Sequence, residues 1–448
     1  MAESTKAGSG ADEVRAWVAA VNMGLGHKRA VAPLASIAEG GILIANDPSV
    51  ATEEEMGLWE GVLKLYERLS RVKKVPLIGP LLFGIMDWFQ KIQPAYPRVD
   101  LSRPSIGNHM VDSTLKKGLC RGMLERIKTK PLPLVTSHFQ TALAADRDHY
   151  GRIYCIICDA DINRVWVASD PRSSKIEYLV PCGAAMRRLR QYGVPDERIY
   201  MTGFPLPLEL LGDENLEVLK FDLGQRLHHL DPNDRFWPLH DRSVEHFLGE
   251  TNCAFRGDRL LTLTYAVGGA GAQREIGAAA LESLCGKVQE GRLAMNLVCG
   301  VRSEVREYYE GLVKDLGLGA LPNVRVIGGR GEQDYFSSFT ACLRTTDILW
   351  TKPSELSFYV GLGIPLLMAP SIGSQEVFNR HWLEEVQAGI PQDDPRYANE
   401  WLYELLDQGR FAEAAWSGFL KARKYGTYRI HELLTTGAMY RSGDPLTR

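Results

Sequence analysis

Two glycine-rich segments are the first candidates for chemistry in this sequence. Gly24-Leu25-Gly26-His27 follows the apolar run 17–21, and Gly268-Gly269-Ala270-Gly271 follows the apolar run 260–267. Glycine lets a backbone approach a ligand closely, and the N-terminus of a following helix offers free N–H groups to an anion. The pair of segments predicts a diphosphate bound between two domains and neutralised by backbone dipoles rather than by a metal.

His27 ends the first segment, at the carboxyl edge of a predicted strand. An imidazole placed there can act as a general base, and the alternative is a structural turn closed by a capping histidine.

A dinucleotide-binding fingerprint fits only in part: Asp47 lies at the expected distance, but Arg29 stands at the third glycine position. This mismatch disfavours an NAD-dependent oxidoreductase.

Short apolar runs alternate with helix-length amphipathic segments along most of the chain. In the C-terminal half the predicted strands are 260–267, 293–299, 324–327, 348–350 and 365–368. In the N-terminal half they are 17–21, 41–45, 134–136, 153–158, 164–168 and 176–180. This rhythm predicts an α/β protein of two doubly wound, Rossmann-like domains, in which ligands bind at the carboxyl ends of parallel strands.

The alternation fails between residues 213 and 257, where the polar stretch 228–234 indicates an interdomain insertion. We therefore predict an N-terminal domain over 1–212, a linker over 213–257 and a C-terminal domain over 258–448.

The composition of the 448 residues, 24% charged and 45% hydrophobic, excludes a disordered, collagen-like or disulfide-scaffold protein. The eight cysteines are scattered, and the N-terminus lacks the apolar core of a secretory signal. We expect a cytoplasmic protein with reduced thiols.

Cys155 and Cys158 form a CxxC pair inside an apolar run without a second pair at zinc-ligand spacing, which favours a buried strand over a redox or metal site.

The net charge of -3 hides an asymmetry between the halves. Residues 1–200 carry 27 Lys and Arg against 22 Asp and Glu, whereas residues 201–448 carry 25 against 33. Residues 61–130 alone hold 14 basic and 5 acidic side chains. Such a local field attracts anionic surfaces, either phospholipid or nucleic acid. Nucleic acid is disfavoured because aromatic residues are not interleaved with the basic ones.

An apolar stretch over 75–89 lies inside this basic region and is flanked by Lys73, Lys74 and Lys91. It is too short to span a bilayer, but Trp88 and Phe89 beside flanking cations are typical of an interfacial segment. The alternatives are a core helix under a solvated basic rim and contact with a lipid, either as a peripheral contact with the inner face of an anionic membrane or as contact with a lipid substrate.

The most specific motifs lie between Asp347 and Asn379, where Thr351-Lys352, Gly363-Ile364-Pro365 and Gln375-Glu376 precede Asn379. The remaining motifs are Gly24-Leu25-Gly26-His27, Thr136-Ser137-His138, Cys158-Asp159-Ala160-Asp161, Thr202-Gly203-Phe204-Pro205 and Gly268-Gly269-Ala270-Gly271. Taken in their order along the chain, these motifs resemble those of the GT-B glycosyltransferases of the MurG and monogalactosyldiacylglycerol synthase group. The resemblance covers residues 15–210 and 258–390 approximately.

The resemblance implies an inverting hexosyltransferase that uses a UDP-linked sugar as donor and needs no cofactor or metal. It implies donor contacts from Gly268, Gly269, Ala270, Gly271, Lys352, Ser354, Glu355, Gln375, Glu376 and Asn379. It implies an acceptor and diphosphate loop of Gly24, Gly26, Ser137 and His138, with His27, Asp159 and Asp161 as catalytic candidates.

Several of these roles have structural alternatives. Asp159 and Asp161 could serve only to end a strand, and residues 375–379 could form only a helix N-terminus capped by Ser374. The sequence also departs from the family, because Phe358 stands where the family has its ribose-binding Glu. Glu355 could substitute for that residue. The departure leaves open a non-catalytic protein that binds nucleotide sugars or lipids. A UDP-sugar 2-epimerase, which shares the GT-B architecture, is a further alternative.

Overall fold

The computed structural model describes residues 14–61, 92–94, 96–257, 259–268 and 271–440. The predicted apolar segment 75–89 and the turn residues Gly269 and Ala270 lie outside them. Within the described part of the chain, two six-stranded sheets stand in separate halves of the sequence, and every strand pair in both sheets is parallel.

The N-terminal sheet has the strand order β2-β1-β3-β4-β5-β6. Its strands are β1 (Trp17–Ala20), β2 (Leu43–Ile44), β3 (Leu134–Thr136), β4 (Ile153–Ile156), β5 (Ile176–Leu179) and β6 (Ile199–Tyr200). Its α-helices include α1 (Leu25–Val31), α2 (Ile106–Lys116), α3 (Arg121–Ile127), α4 (Phe139–Arg147), α5 (Gly183–Gln191) and α6 (Leu208–Leu211). Short 3₁₀ helices cover Ala32–Ile37, Arg164–Trp166 and Asp196–Arg198.

The C-terminal sheet has the order β12-β11-β10-β7-β8-β9. Its strands are β7 (Thr262–Ala266), β8 (Ala294–Gly300), β9 (Val324–Gly328), β10 (Ile348–Thr351), β11 (Leu366–Met368) and β12 (Gly389–Pro391). Three helices lie between β6 and β7 in the sequence: α7 (Glu217–His229), α8 (Trp237–Leu248) and α9 (Glu250–Cys253). Those that follow are α10 (Arg274–Gln289), α11 (Ser303–Asp315), α12 (Glu332–Leu343), α13 (Ser374–Glu385), α14 (Ala398–Asp407), α15 (Arg410–Lys421) and α16 (Gly426–Thr436). Two further 3₁₀ helices cover Glu355–Leu362 and Pro395–Tyr397.

The central strands are continuous apolar runs because helices cover both faces of each sheet. All residues of β1, β4, β7 and β10 are buried. Two doubly wound domains of this kind form the GT-B architecture, so the predicted fold class is confirmed.

The predicted strand 164–168 is wrong. A 3₁₀ helix stands there instead, and the buried Arg164 guanidinium donates hydrogen bonds to the carbonyls of Leu101, Ser102 and Val167. A guanidinium that satisfies carbonyls of several chain segments folds its own segment around it, so a straight strand cannot form there.

The segment 213–257, predicted as an interdomain insertion, is mostly helical and packs on the C-terminal domain. Arg226 of α7 is buried and donates to the carbonyls of Thr346 and Leu362. Within the polar stretch, Asp231 accepts hydrogen bonds from the backbone N–H groups of Arg235 and Phe236, which ties the start of α8 to the end of α7.

The last helix, α16, returns to the N-terminal domain. The Thr427 hydroxyl donates to the carbonyl of Leu206 at 2.6 Å, and the Tyr428 hydroxyl donates to that of Gly212 at 2.5 Å. The chain therefore crosses between the domains twice. The two crossings touch, because the Tyr425 hydroxyl donates to the carbonyl of Glu214 at 2.8 Å.

Candidate active site

Each sheet has one point where the strand order reverses, and the two predicted glycine turns follow strands at these two points. In the N-terminal sheet the reversal is between β1 and β3, which lead into Gly24 to His27 and into Ser137. In the C-terminal sheet it is between β7 and β10, which lead into Gly268 and Lys352. Helices leave in opposite directions at such a point and open a crevice at the carboxyl ends of the strands, so both sheets present a ligand site there.

His27 is fixed by its neighbour across the first crevice. Its Nδ1 lies 2.7 Å from the carbonyl oxygen of Ser137, and the Ser137 hydroxyl donates back to the carbonyl of His27 at 2.7 Å. Because the Ser137 carbonyl can only accept, Nδ1 carries the proton and Nε2 carries the lone pair. Burial lowers the pKa of His27, against the hydrogen bond to Ser137 and the charge of Glu355. The imidazole is therefore neutral near pH 7.

An aromatic wall stands beside His27. The rings of His27 and His138 meet edge to face at 4.8 Å, and Phe139 and Trp166 extend the group with centroid distances of 4.5 to 6.1 Å. His138 is buried and caps α4 by accepting from the backbone N–H of Gln140. Burial and then His27 hold the pKa of His138 well below its usual range. His138 is thus a neutral packing and capping residue within this wall.

The two predicted carboxylates after β4 have different surroundings. Asp161 is buried, and both its oxygens accept from Arg188 of α5, at 2.7 and 2.8 Å. One of these oxygens also accepts from the backbone N–H of Ile162. Asp161 thus forms a structural ion pair inside the N-terminal domain. Asp159 is half-buried and faces the C-terminal domain, where Asn379 donates to its Oδ1 at 2.9 Å.

The electrostatics of Asp159 come from both domains. Burial raises its pKa to about 6, and the charges of Glu355 and Glu376 add to the rise. The hydrogen bond from Asn379 and the charge of Lys352 oppose it. A carboxyl group with a pKa close to neutral is suited to proton transfer at physiological pH.

The second crevice carries a cation. A Cβ atom on Gly268 would lie 2.5 Å from Cε of Lys352, so only glycine lets this lysine lie across the turn. The Lys352 ammonium pairs with Glu376 at 2.5 Å. Gly271 has φ of +69° and closes the turn before α10 with a bond from its N–H to the Gly268 carbonyl. An ammonium, a close backbone and the start of a 16-residue helix together suit a diphosphate.

Glu355 reaches back from the C-terminal domain over the first glycine turn. Its Oε1 accepts from Arg29 at 3.1 Å, and its Oε2 would lie 3.1 Å from a Cβ on Gly26. Gly24 has φ of +104°, which favours glycine at the start of this turn. Ser354 precedes the 3₁₀ helix, and its carbonyl accepts from the backbone N–H of Ser357.

The three predicted sugar contacts on α13 differ in accessibility. Gln375 is exposed. Glu376 is buried, pairs with Lys352 and accepts from the backbone N–H groups of Ile372 and Gly373. Asn379 is fully buried between the domains. Gln375 is therefore the member of this trio that presents its side chain to a ligand.

Phe358 does not face a ligand site. It is buried and stacks on Phe204 of the other domain, with ring centroids 5.3 Å apart and nearly parallel planes. Its ring also meets Trp382 at 4.9 Å. Phe358 is a packing residue between the domains, and Glu355 is the carboxylate of this segment that lies in the cleft.

The cations directly after His27 were not predicted to be functional. Lys28 pairs with Glu332 of α12, and Arg29 donates to Glu355 and, at 3.0 Å, to the Tyr335 hydroxyl. Both are buried and bridge to the C-terminal domain. The available signal was the Lys-Arg pair in the last turn of a short helix that is otherwise largely apolar, since such charges require partners when the helix is buried.

In the part of the chain with described side chains, no group of three or more His, Cys, Asp or Glu residues is arranged to hold a metal ion. Cys155 lies in buried β4, and Cys158 is buried beside His27, with Sγ 3.8 Å from Nδ1.

A scan against models of protein families finds no match, and a search of curated proteins finds no similar sequence. Among solved structures, the chain resembles MnaA of S. aureus in a structure with UDP: 13% identity, 94% of this chain, 95% of that chain and a TM-score of 0.46. It resembles MurG of Acinetobacter baumannii at 13% identity, with 94% and 99% covered and a TM-score of 0.46. For the UDP-GlcNAc 2-epimerase of Neisseria meningitidis bound to UDP-GlcNAc, the values are 12%, 94%, 99% and 0.47.

Proposed function

We propose that this protein is an inverting glycosyltransferase that moves a hexose from a UDP-linked sugar to an acceptor hydroxyl. The observation that carries the proposal is the Asp159 carboxylate. It lies at the carboxyl edge of the N-terminal sheet, its pKa is raised to about 6, and it is surrounded by Lys352, Glu355, Glu376 and Asn379 of the other domain. A proton acceptor built jointly by two domains suits a reaction between two substrates that bind to different domains.

The donor belongs to the C-terminal crevice. Lys352 would exchange its contact with Glu376 for the diphosphate, and the start of α10 would supply backbone N–H groups. Gln375, whose side chain is exposed, would bind a sugar hydroxyl. These contacts stabilise the negative charge that develops on the leaving diphosphate, which lowers the barrier to transfer.

The acceptor belongs to the N-terminal crevice. Its hydroxyl oxygen would form the new bond to the anomeric carbon while the bond from that carbon to the diphosphate oxygen breaks. The hydroxyl proton passes to Asp159. We assign the proton to Asp159 rather than to His27, because burial moves the pKa of Asp159 toward the working pH and lowers that of His27. Neutral His27 would orient the acceptor hydroxyl through Nε2.

The test is a screen for transfer and hydrolysis with UDP-, GDP-, ADP- and dTDP-sugars, preceded by a thermal-shift panel of the free nucleotides. Asp159→Asn should lower turnover at least about 100-fold, and His27→Ala should lower it less, while both keep the affinity for UDP. Activity in EDTA tests whether the reaction is independent of metal. A matched control is Asp196→Asn, an exposed carboxylate paired with Arg190 at the surface.

Other outcomes identify the alternatives. UDP binding without turnover of any sugar indicates a binding protein, and isomerisation of the sugar without an acceptor indicates a 2-epimerase. Unchanged turnover in both Asp159→Asn and His27→Ala contradicts the assigned site.

We further propose that the acceptor is a lipid presented at an anionic membrane surface. Ile106 and Met110 lie one turn apart on α2, and about half of each side chain is exposed. Lys116 and Lys117 at the end of the same helix are exposed as well. Exposed apolar side chains next to cations suit the interface of an anionic bilayer. Among the described residues, no helix is long and apolar enough to cross a membrane.

Liposome flotation tests this surface. The protein should float with vesicles of phosphatidylglycerol and phosphatidylcholine, and Ile106→Ser/Met110→Ser should reduce the bound fraction several-fold. The control is Leu239→Ser on α8, which removes an exposed leucine elsewhere on the molecule. Absence of flotation by the wild type, or equal loss in the control, contradicts the lipid proposal.

A further inference from the structure

Asn379 of α13 links the two domains through its side-chain amide. Its Oδ1 accepts from the backbone N–H of Ala160 at 2.7 Å, and its Nδ2 donates to Asp159 Oδ1 at 2.9 Å and to the Pro353 carbonyl at 3.1 Å. The orientation of the amide follows from two of its partners, because the backbone N–H of Ala160 can only donate and the Pro353 carbonyl can only accept.

The side chain is fully buried, and its carbonyl and both of its N–H groups are engaged. It therefore has no N–H group left to donate to a sugar hydroxyl. The family resemblance implied that Asn379 contacts the sugar-nucleotide substrate, and that role does not fit this geometry. Two of its three partners belong to the loop after β4 in the opposite domain. The role of Asn379 is to hold that loop.

The held loop carries Asp159, the proton acceptor of the proposed function. We propose that Asn379 is a positioning residue, which fixes the Asp159 carboxylate from the opposite domain and so completes the proton acceptor only when the two domains are in contact. This inference rests on the proposed function for the role of Asp159, whereas the pairing itself can be tested without turnover.

The charge state of Asp159 should depend on this bond. Hydrogen bonding to a carboxylate favours its ionised form, so loss of Asn379 should raise the pKa of Asp159. The other ionisable groups that face Asp159 lie on its own loop, on the segment after β10 and on α13; they are Cys158, Lys352, Glu355 and Glu376. None of these four residues is itself altered when Asn379 alone is substituted.

The experiment compares wild type with Asn379→Ala and Asn379→Ser in two measurements. The first is a titration of the Asp159 carboxyl carbon by NMR with ¹³C-labelled aspartate, where Asp159→Asn identifies the signal. We expect the midpoint to rise from about 6 by about one pH unit in Asn379→Ala. Arg380→Gln, an exposed position next to Asn379, is the matched control and should leave the midpoint unchanged.

The second measurement is the pH profile of kcat/KM. Its acidic limb should move to higher pH by the same amount in Asn379→Ala, and the double variant Asp159→Asn/Asn379→Ala should lose no more activity than Asp159→Asn alone. An unmoved midpoint in both Asn379 variants, or additive losses in the double variant, overturns the inference. Asn379→Ser retains a polar group and serves where Asn379→Ala does not fold. If no nucleotide sugar is turned over, the proposed function fails, and the NMR titration still decides the Asn379 to Asp159 pairing.

Discussion

The two glycine turns of the molecule face groups of opposite charge. The N-terminal turn, Gly24 to His27, is covered by the Glu355 carboxylate, which pairs with Arg29 of α1. The C-terminal turn at Gly268 is covered by the Lys352 ammonium. Similar sequence patterns at equivalent points of two similar sheets thus produce different sites. Under the proposed function, the diphosphate suits the C-terminal turn, and the uncharged acceptor hydroxyl suits the N-terminal one.

The largest expected effect concerns the cation of the N-terminal turn, whose role we infer to be structural. Arg29→Met should lower the free energy of unfolding by about 2–3 kcal/mol, because it leaves Glu355 without its partner and removes contacts with the rings of Tyr335 and Phe339. Urea denaturation measures this. At the C-terminal turn, Arg302 packs beside Gly271 but pairs with Glu304 at the surface, so Arg302→Met should stay within about 0.5 kcal/mol of wild type. Equal losses of unfolding free energy in the two variants would contradict the proposed difference between the two turns.

The second prediction concerns charge at the diphosphate. Lys352→Met should weaken UDP binding about 10- to 100-fold in calorimetric titration, since a hydrogen bond to a charged group contributes about 1.5–3 kcal/mol. The matched variant at the other turn, Lys28→Met, should bind UDP as wild type does. The reverse result would place the diphosphate at the N-terminal turn.

The smallest effect concerns the carboxylate between the turns. Glu355→Gln removes a negative charge that raises the pKa of Asp159, so the pKa should fall below about 6 and the acidic limb of kcat/KM should move to lower pH. We expect a shift of about half a pH unit or less, because burial is the larger cause. Glu332→Gln, which removes the partner of Lys28 instead, should leave the limb in place.

The strands and both glycine turns could be predicted because their signals are local. A buried parallel strand such as β4 is an apolar run, and a turn with positive φ at Gly24 or Gly271 requires glycine. Short edge strands such as β12, with three residues, have too little pattern to be recognised.

The roles of individual side chains depended on partners distant in sequence. Asp159 and Asp161 are two residues apart, yet one meets Asn379 from the other domain and the other meets Arg188 on α5. Nothing in the sequence between the two residues distinguishes their different hydrogen-bond partners. The same holds for Arg164, whose carbonyl partners lie up to 63 residues away and turned a predicted strand into a 3₁₀ helix.

The return of α16 to the N-terminal domain has a mechanical consequence. The chain joins the domains at two places, near Glu214 and near Tyr425, and these places are hydrogen-bonded to each other. Two bodies joined by two adjacent covalent links retain one easy motion, rotation about the line through the links. Opening of this molecule would therefore be a hinge rotation about an axis through the two crossings, and it would separate the two crevices. The same rotation would carry Asn379 away from Asp159 without sliding one domain along the other.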